Sequence, residues 1–128
     1  MKTEHRKTFK ITCIISVMFL FTAFMCRFTI PKLQLDGYTG LLLRILLNTD
    51  DTIYTKDYTD ENFLLLKTGM PKEEVLRLLG KPFAEFDRAK NTISMQYSKS
   101  PHDTHYRARA VLLQDNKVIN IISYYYVD

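Results

Sequence analysis

The chain has 128 residues, a length that suits a single domain, and its formal net charge at pH 7 is +4. The excess positive charge lies within residues 1–30, because the residues after this segment carry 13 basic and 13 acidic side chains. A neutral domain offers no cluster of cations to the phosphate backbone, so the composition argues against nucleic-acid binding.

The N-terminal segment has the pattern of a membrane anchor. Residues 1–10 are polar and carry a net charge of +3, and residues 11–26 follow without a charged side chain. A basic flank before an apolar run predicts that the N-terminus stays in the cytoplasm while the rest crosses. We therefore expect residues 11–26 to be a retained single-pass anchor in the cytoplasmic (inner) membrane, with the remaining domain in the periplasm or outside. A buried core helix and a cleaved signal are the alternatives.

The two cysteines, Cys13 and Cys26, lie in or beside this apolar run. The domain after residue 30 therefore cannot contain a disulfide and depends on its core alone. Cys26 has the position of a bacterial lipoprotein cysteine, although Met25 before it is larger than the residue usual at such a site. Lipidation of Cys26, which would make the chain an outer-membrane lipoprotein, is the alternative to a retained anchor.

Residues 31–59 show no clear period and predict a linker that contains one short apolar helix. The apolar residues at 41–47, broken only by Arg44, are too few to span a bilayer. We expect this helix to pack on the domain, and the alternative is that it lies at the membrane surface. The acidic residues that follow do not have the spacing of an EF-hand and predict a solvated segment.

Two short helices are predicted at the start of the C-terminal domain. Thr59 or Asp60 is placed to cap the first helix, and Gly69 closes it. Pro71 suits the first position of the second helix, where a missing N–H is tolerated. Gly80 supplies the stop, for which we expect a positive φ.

Strand patterns fill the rest of the domain. Ile93–Tyr97 alternates apolar and polar residues, and 106–113 begins with tyrosine and alanine alternating with arginine. Asp115-Asn116 predicts a tight turn before the β-prone segment Val118–Val127. The predicted fold class is α+β, with an N-terminal membrane helix followed by two short helices packed on a three-stranded antiparallel sheet. We expect residues 60–128 to fold independently.

Residues 69–82, GMPKEEVLRLLGKP, contain a Gly-Met pair, a Glu-Val pair on a helix and a Leu-Gly-x-Pro ending. With Tyr97 on the strand that follows, residues 60–127 resemble the BamE/SmpA/OmlA family. The resemblance implies a β-lactamase-inhibitor-like fold of two helices and three strands. It also implies a periplasmic domain on a lipid anchor that supports the assembly of outer-membrane β-barrels.

The sequence has one group of metal-ligand residue types, His102 and His105 with Asp103 between them. A zinc site needs further ligands at a fixed distance, and the remaining histidine, His5, lies in the N-terminal tail. We expect a solvated loop here and no metal site. The domain has no glycine-rich phosphate loop and no cysteine nucleophile, so we expect no catalytic residue, no cofactor and no enzymatic activity.

Tyr124, Tyr125 and Tyr126 cannot all face one side of a strand, so at least one points outward. Exposed aromatic side chains are enriched where proteins meet proteins. The alternative is that the outward tyrosine packs against residues 41–47. The sequence thus predicts a non-enzymatic, membrane-tethered cell-envelope protein that acts through protein contacts, in outer-membrane protein assembly or envelope integrity. A secreted or anchored inhibitor or immunity-type protein that binds a single soluble target is the alternative.

Overall fold

The computed structural model describes residues 2–47, 50–88, 91–102 and 104–127, with side chains from residue 9 onward. The chain divides into two compact units, Met1–Ile30 and Pro31–Asp128. Helix α1 spans Lys2–Leu47, but Gly37 within it has φ 70° and ψ 178°. These angles are not helical and are tolerated by glycine, so α1 consists of two helical segments that meet at Gly37.

The first unit is a single apolar helix. Its side chains from residue 9 are exposed apart from the half-buried Thr29, and Phe19 reaches 74% exposure. Among the described residues, one helix, Phe9–Leu47, is long and apolar enough to cross a membrane. Its most apolar stretch is not buried within the protein. An apolar N-terminal helix, compatible with a membrane span or a signal sequence, is therefore confirmed.

Two short helices open the C-terminal part, as predicted. Helix α2 spans Asp60–Leu64, and the hydroxyl of Thr59 caps it by accepting from Asn62 N–H at 3.1 Å. Helix α3 spans Lys72–Leu79. Pro71 is its N-cap residue and not the first helical residue, and it contributes no side-chain hydrogen bond.

Glycine ends α3 in the expected way. Gly80 is the C-cap residue with φ +71°, and its N–H donates to the carbonyl of Leu76 at 2.9 Å. A Cβ at Gly80 would lie 2.7 Å from the Cβ of Asp57. Both the backbone angle and the close approach of Asp57 therefore require glycine here.

Within the described ranges, the strands form two sheets. They are β1 (Ile53–Tyr54), β2 (Ala84–Arg88), β3 (Thr92–Gln96), β4 (Ser98–Lys99), β5 (Tyr106–Gln114) and β6 (Lys117–Tyr126). One sheet has four strands in the order β2-β3-β5-β6 and the other pairs β1 with β4. All the pairings are antiparallel.

The expectation of one three-stranded sheet is therefore wrong in strand number, although α+β with antiparallel strands is confirmed. Strand β2 was missed because it is an edge strand whose residues from Glu85 to Arg88 are exposed, so it has no buried alternation to detect. Strands β1 and β4 have two residues each, which is too short to show any period.

The last two strands form a hairpin at the predicted turn. Asp115 and Asn116 have φ of 49° and 62°, the left-handed angles of a two-residue hairpin turn. The pairing shifts between Leu112 and Leu113, because Leu112 lies opposite Asn120 whereas Leu113 lies opposite Val118. Ile119 is the extra residue of this bulge, and its side chain is exposed.

The core lies between the helices and one face of the four-stranded sheet, which we call the inner face. Its fully buried members include Val75 and Leu79 of α3 and Met95, Val111 and Leu113 of the sheet. The segment predicted as a linker, residues 31–59, also supplies this core. Leu35 of α1, just before Gly37, and Tyr58, in the segment between β1 and α2, are 3% and 8% exposed and pack in this core.

Candidate functional site: the outer face of the sheet

The consecutive tyrosines of β6 alternate between the two faces of the sheet. Tyr124 is 48% exposed and Tyr125 is 7% exposed. Tyr126 is half-buried, and its ring lies 5.4 Å from that of Tyr106, between centroids. Tyr124 and Tyr126 therefore lie on the face opposite the core, here called the outer face, while Tyr125 lies on the inner face.

The outer face is a shallow concave surface. Its floor is Ala108 and Ala110 of β5, which lie opposite Tyr124 and Ile122 of β6. Short alanine side chains beside taller neighbours leave a depression between the strands. The side chains around it come from all four strands, and they are Phe86, Arg88, Ser94, Gln96, Tyr106, Ile122 and Tyr124.

Two aromatic side chains of this surface are about half exposed. Phe86 on β2 is 52% exposed, which is close to the 48% of Tyr124 on β6. Arg88 is the charged side chain exposed at its border among the residues that the structure describes. The outer face is thus a mixed surface, with exposed aromatic rings at Phe86 and Tyr124, a cationic edge at Arg88 and polar groups at Ser94 and Gln96.

A buried ion pair supports this face from the other side of the sheet. Arg109 of β5 is 1% exposed, and its Nη2 donates to Oδ1 of Asp36 in α1 at 2.6 Å. Nε donates to the hydroxyl of Tyr58 at 3.2 Å, and Nη1 donates to the carbonyl of Ala108 at 2.9 Å. Burial lowers the pKa of Arg109, but the Asp36 carboxylate outweighs this effect and the net shift is upward, so the guanidinium stays charged.

Two stacked tyrosines extend the polar cluster around Arg109. The rings of Tyr54 and Tyr58 lie 4.4 Å apart and are nearly parallel, and Tyr58 donates to Asp60 at 2.7 Å. Burial raises the pKa of both phenols, with the Asp60 contact adding to the effect at Tyr58, so both stay neutral. The backbone N–H of Arg109 also donates to the Ser98 hydroxyl at 2.7 Å, which ties β5 to β4.

The histidine-containing loop is held by a carboxylate. Oδ2 of Asp51 accepts from Ser100 and Thr104 at 2.9 Å each and lies 3.4 Å from Nδ1 of His102. Burial raises the pKa of Asp51, but these hydrogen bonds lower it more, so its pKa lies below the ordinary value. Ser100 donates to the carboxylate and not to an imidazole, so the arrangement anchors a loop and does not activate a nucleophile.

The described residues around His102 and His105 do not supply the further ligands that a metal site needs. Asp103 lies outside the described residues. Within the part of the chain that the structure describes, no group of three histidine, cysteine or carboxylate residues could hold a metal ion.

The cysteines lie in the first unit. Cys13 and Cys26 are both free thiols and both exposed. Exposure at Cys26 is compatible with an anchor surrounded by lipid or with a lipidated cysteine.

The sequence reasoning missed Asp36 and Arg109 as a pair. They are 73 residues apart, so no local pattern joins them. One signal was present, because Asp36 is the single carboxylate between Glu4 and Asp50, in an otherwise apolar region. A single carboxylate in such a segment needs an oppositely charged partner if it is buried.

Comparison with models of known protein families gives no match, and neither does comparison with curated proteins.

Proposed function

We propose that this chain is a non-enzymatic, membrane-tethered module of the cell envelope that binds another protein through the outer face of its four-stranded sheet. The observation that carries the proposal is that Phe86 and Tyr124, on the two edge strands, are both about half exposed around an alanine floor, on a face that no described helix of this unit covers. Half-exposed aromatic anchors beside small residues are typical of the centre of a protein interface.

The rigidity of this face supports a binding role. Ala108 and Ala110 belong to the strand that Arg109 fixes through Asp36, Tyr58 and the Ala108 carbonyl. A surface held in one shape loses little conformational entropy when a partner docks.

The tether in this proposal is the apolar helix of the first unit. Its basic flank keeps the N-terminus in the cytoplasm, which gives a single pass through the inner membrane and places the domain in the periplasm or outside. A lipid on Cys26, in place of a retained helix, is the alternative tether and would place the protein at the outer membrane.

The resemblance to the BamE/SmpA/OmlA family suggests the class of partner. Helices α2 and α3 span residues 60–79, with Gly80 and Pro82 after them and antiparallel strands following, which is the order that the resemblance implies. We therefore propose a partner in outer-membrane protein assembly or envelope integrity. A single soluble target would instead favour the inhibitor or immunity-type reading.

The test compares single alanine variants of the full chain, purified in detergent, for binding of the partner recovered from solubilised membranes. Tyr124→Ala should weaken binding by about 2 kcal/mol or more, roughly 30-fold, while its melting temperature stays unchanged. Tyr125→Ala should instead destabilise the fold by about 3–5 kcal/mol, because this ring is buried.

Ile119→Ala is the matched control, since Ile119 is exposed on the same strand but lies at the bulge, outside the lining of the outer face. It should change neither binding nor stability. Equal binding by the Tyr124 and Ile119 variants, or loss of stability in all three variants, would remove the outer face from the proposal.

A further inference from the structure

The second segment of α1 has an exposed apolar stripe. Tyr38, Leu42, Ile45 and Leu46 are 81%, 56%, 69% and 69% exposed. Their spacing of i, i+4, i+7 and i+8 places them on one side of a helix. None of the four carries a charge, so the stripe is an apolar surface that the described residues of the second unit leave exposed.

The opposite side of this segment is fixed to the domain. Leu35 and Asp36, which lie just before Gly37 at the start of this segment, are buried, and Asp36 binds Arg109. Gly40 lies so near the sheet that an added Cβ would be 3.0 Å from the Cβ of Tyr125. Arg44 points the same way, with its Nε 3.5 Å from Oδ2 of Asp50. The helix therefore cannot rotate to bury its stripe without breaking these contacts.

The length of the apolar helix limits how much of it crosses a bilayer. Phe9–Leu47 has 39 residues, whereas a hydrocarbon core of about 30 Å is crossed by about 20 helical residues. Residues 9–30 suffice for one crossing. The segment after Gly37 is attached to a folded domain, and its charged side chain, Arg44, points toward that domain. The segment is therefore not a second membrane span.

We propose that residues 38–47 lie in the membrane interface, with Tyr38, Leu42, Ile45 and Leu46 inserted among the lipids. The occupant is the bilayer because the stripe begins only eight residues after Ile30, the last residue of the tether unit. A helix with one apolar face lies in the plane of the interface, and tyrosine is enriched at that depth. This inference rests on the proposed tether and adds that the domain is held against the bilayer by a second contact.

The absence of tryptophan from the chain provides a direct test. A single indole is introduced as Leu42→Trp, or as Leu46→Trp if the first variant misfolds, in full-length protein reconstituted into phosphatidylcholine–phosphatidylglycerol vesicles. Leu65→Trp is the matched control, because Leu65 is 55% exposed and Leu42 is 56% exposed. Leu20→Trp reports separately on the tether.

Brominated lipid should remove most of the emission at position 42, and aqueous acrylamide should have little effect there. Position 65 should show the reverse. Acrylamide quenching at 42 equal to that at 65 would overturn the interfacial helix, and lipid quenching at 20 in the same samples would leave the tether standing. An indole at 42 that neither quencher reaches would mean that protein covers the stripe, as in a dimer, and would also overturn the proposal. Failure of lipid to quench position 20 would contradict the tether itself.

Discussion

Asp36 of α1 and Arg109 of β5 form a buried ion pair that connects α1 to the sheet. The carboxylate and guanidinium are 1% and 0% exposed in their side chains and meet at 2.6 Å. Taking two charges out of water costs several kcal/mol each, and their attraction offsets this only when the remaining hydrogen bonds are made. Oδ2 of Asp36 has no hydrogen-bond partner among the described residues, so the pair contributes specificity more than net stability.

Removing one member of the pair should therefore lower the free energy of unfolding far more than removing both. Asp36→Ala should lower the free energy of unfolding by about 3–5 kcal/mol, because it leaves the Arg109 charge buried alone. The double variant Asp36→Leu with Arg109→Met should recover most of this loss.

Chemical denaturation in detergent, followed by circular dichroism of the sheet, measures both variants. Glu74→Ala is the control, since its pair with Arg77 is exposed and worth about 1 kcal/mol or less. A double variant as unstable as the single one would show that the ion pair itself, and not the burial of an unpaired charge, stabilises the fold.

At the scale of elements, the second segment of α1 belongs with the sheet. Gly40 within it lies against Tyr125, the residues just before Gly37 supply Leu35 to the core and Asp36 to Arg109, and residues 53–58 add β1 and Tyr58. These contacts argue against the expectation that residues 60–128 suffice for folding.

A fragment of residues 31–128 should unfold cooperatively in detergent, whereas one of residues 60–128 should melt at a much lower temperature or without a sharp transition. The shorter fragment lacks Leu35, Tyr58 and the partner of Arg109, so a charge is left buried. Circular dichroism melts of the two fragments under one condition make the comparison. Equal melting temperatures would show that residues 31–59 are a linker after all.

Elements with a local signal were predictable from the sequence. The Thr59 cap, the Gly80 stop and the Asp115-Asn116 turn each depend on one or two residues, and the structure has all three. Strand β2 has no buried face, and β1 and β4 have two residues each, so no periodicity marks them. Of the site, alternation predicts that at least one of Tyr124–Tyr126 faces outward. Which of them does so, like the positions of the alanine floor and Phe86, depends on strand pairing, which the sequence does not specify.

At the scale of the whole molecule, we propose a separate role for each part of the chain. The apolar helix of the first unit would tether the chain, the second segment of α1 would hold the domain at the membrane, and the outer face of the sheet would bind a partner. The proposed envelope function requires that residues 31–128 lie outside the cytoplasm and stay attached to the membrane.

The most direct test of this central claim is a protease-accessibility measurement on full-length protein with one epitope at each end, in right-side-out membrane vesicles. With the N-terminus in the cytoplasm and the domain outside, external protease should remove the C-terminal epitope. The N-terminal epitope should remain protected on a short membrane fragment. If the mature protein lacks the N-terminal epitope, the anchor is not retained. The N-terminal segment is then cleaved, or Cys26 is lipidated. A C-terminal epitope that resists protease until detergent opens the vesicles would place the domain in the cytoplasm and contradict the account.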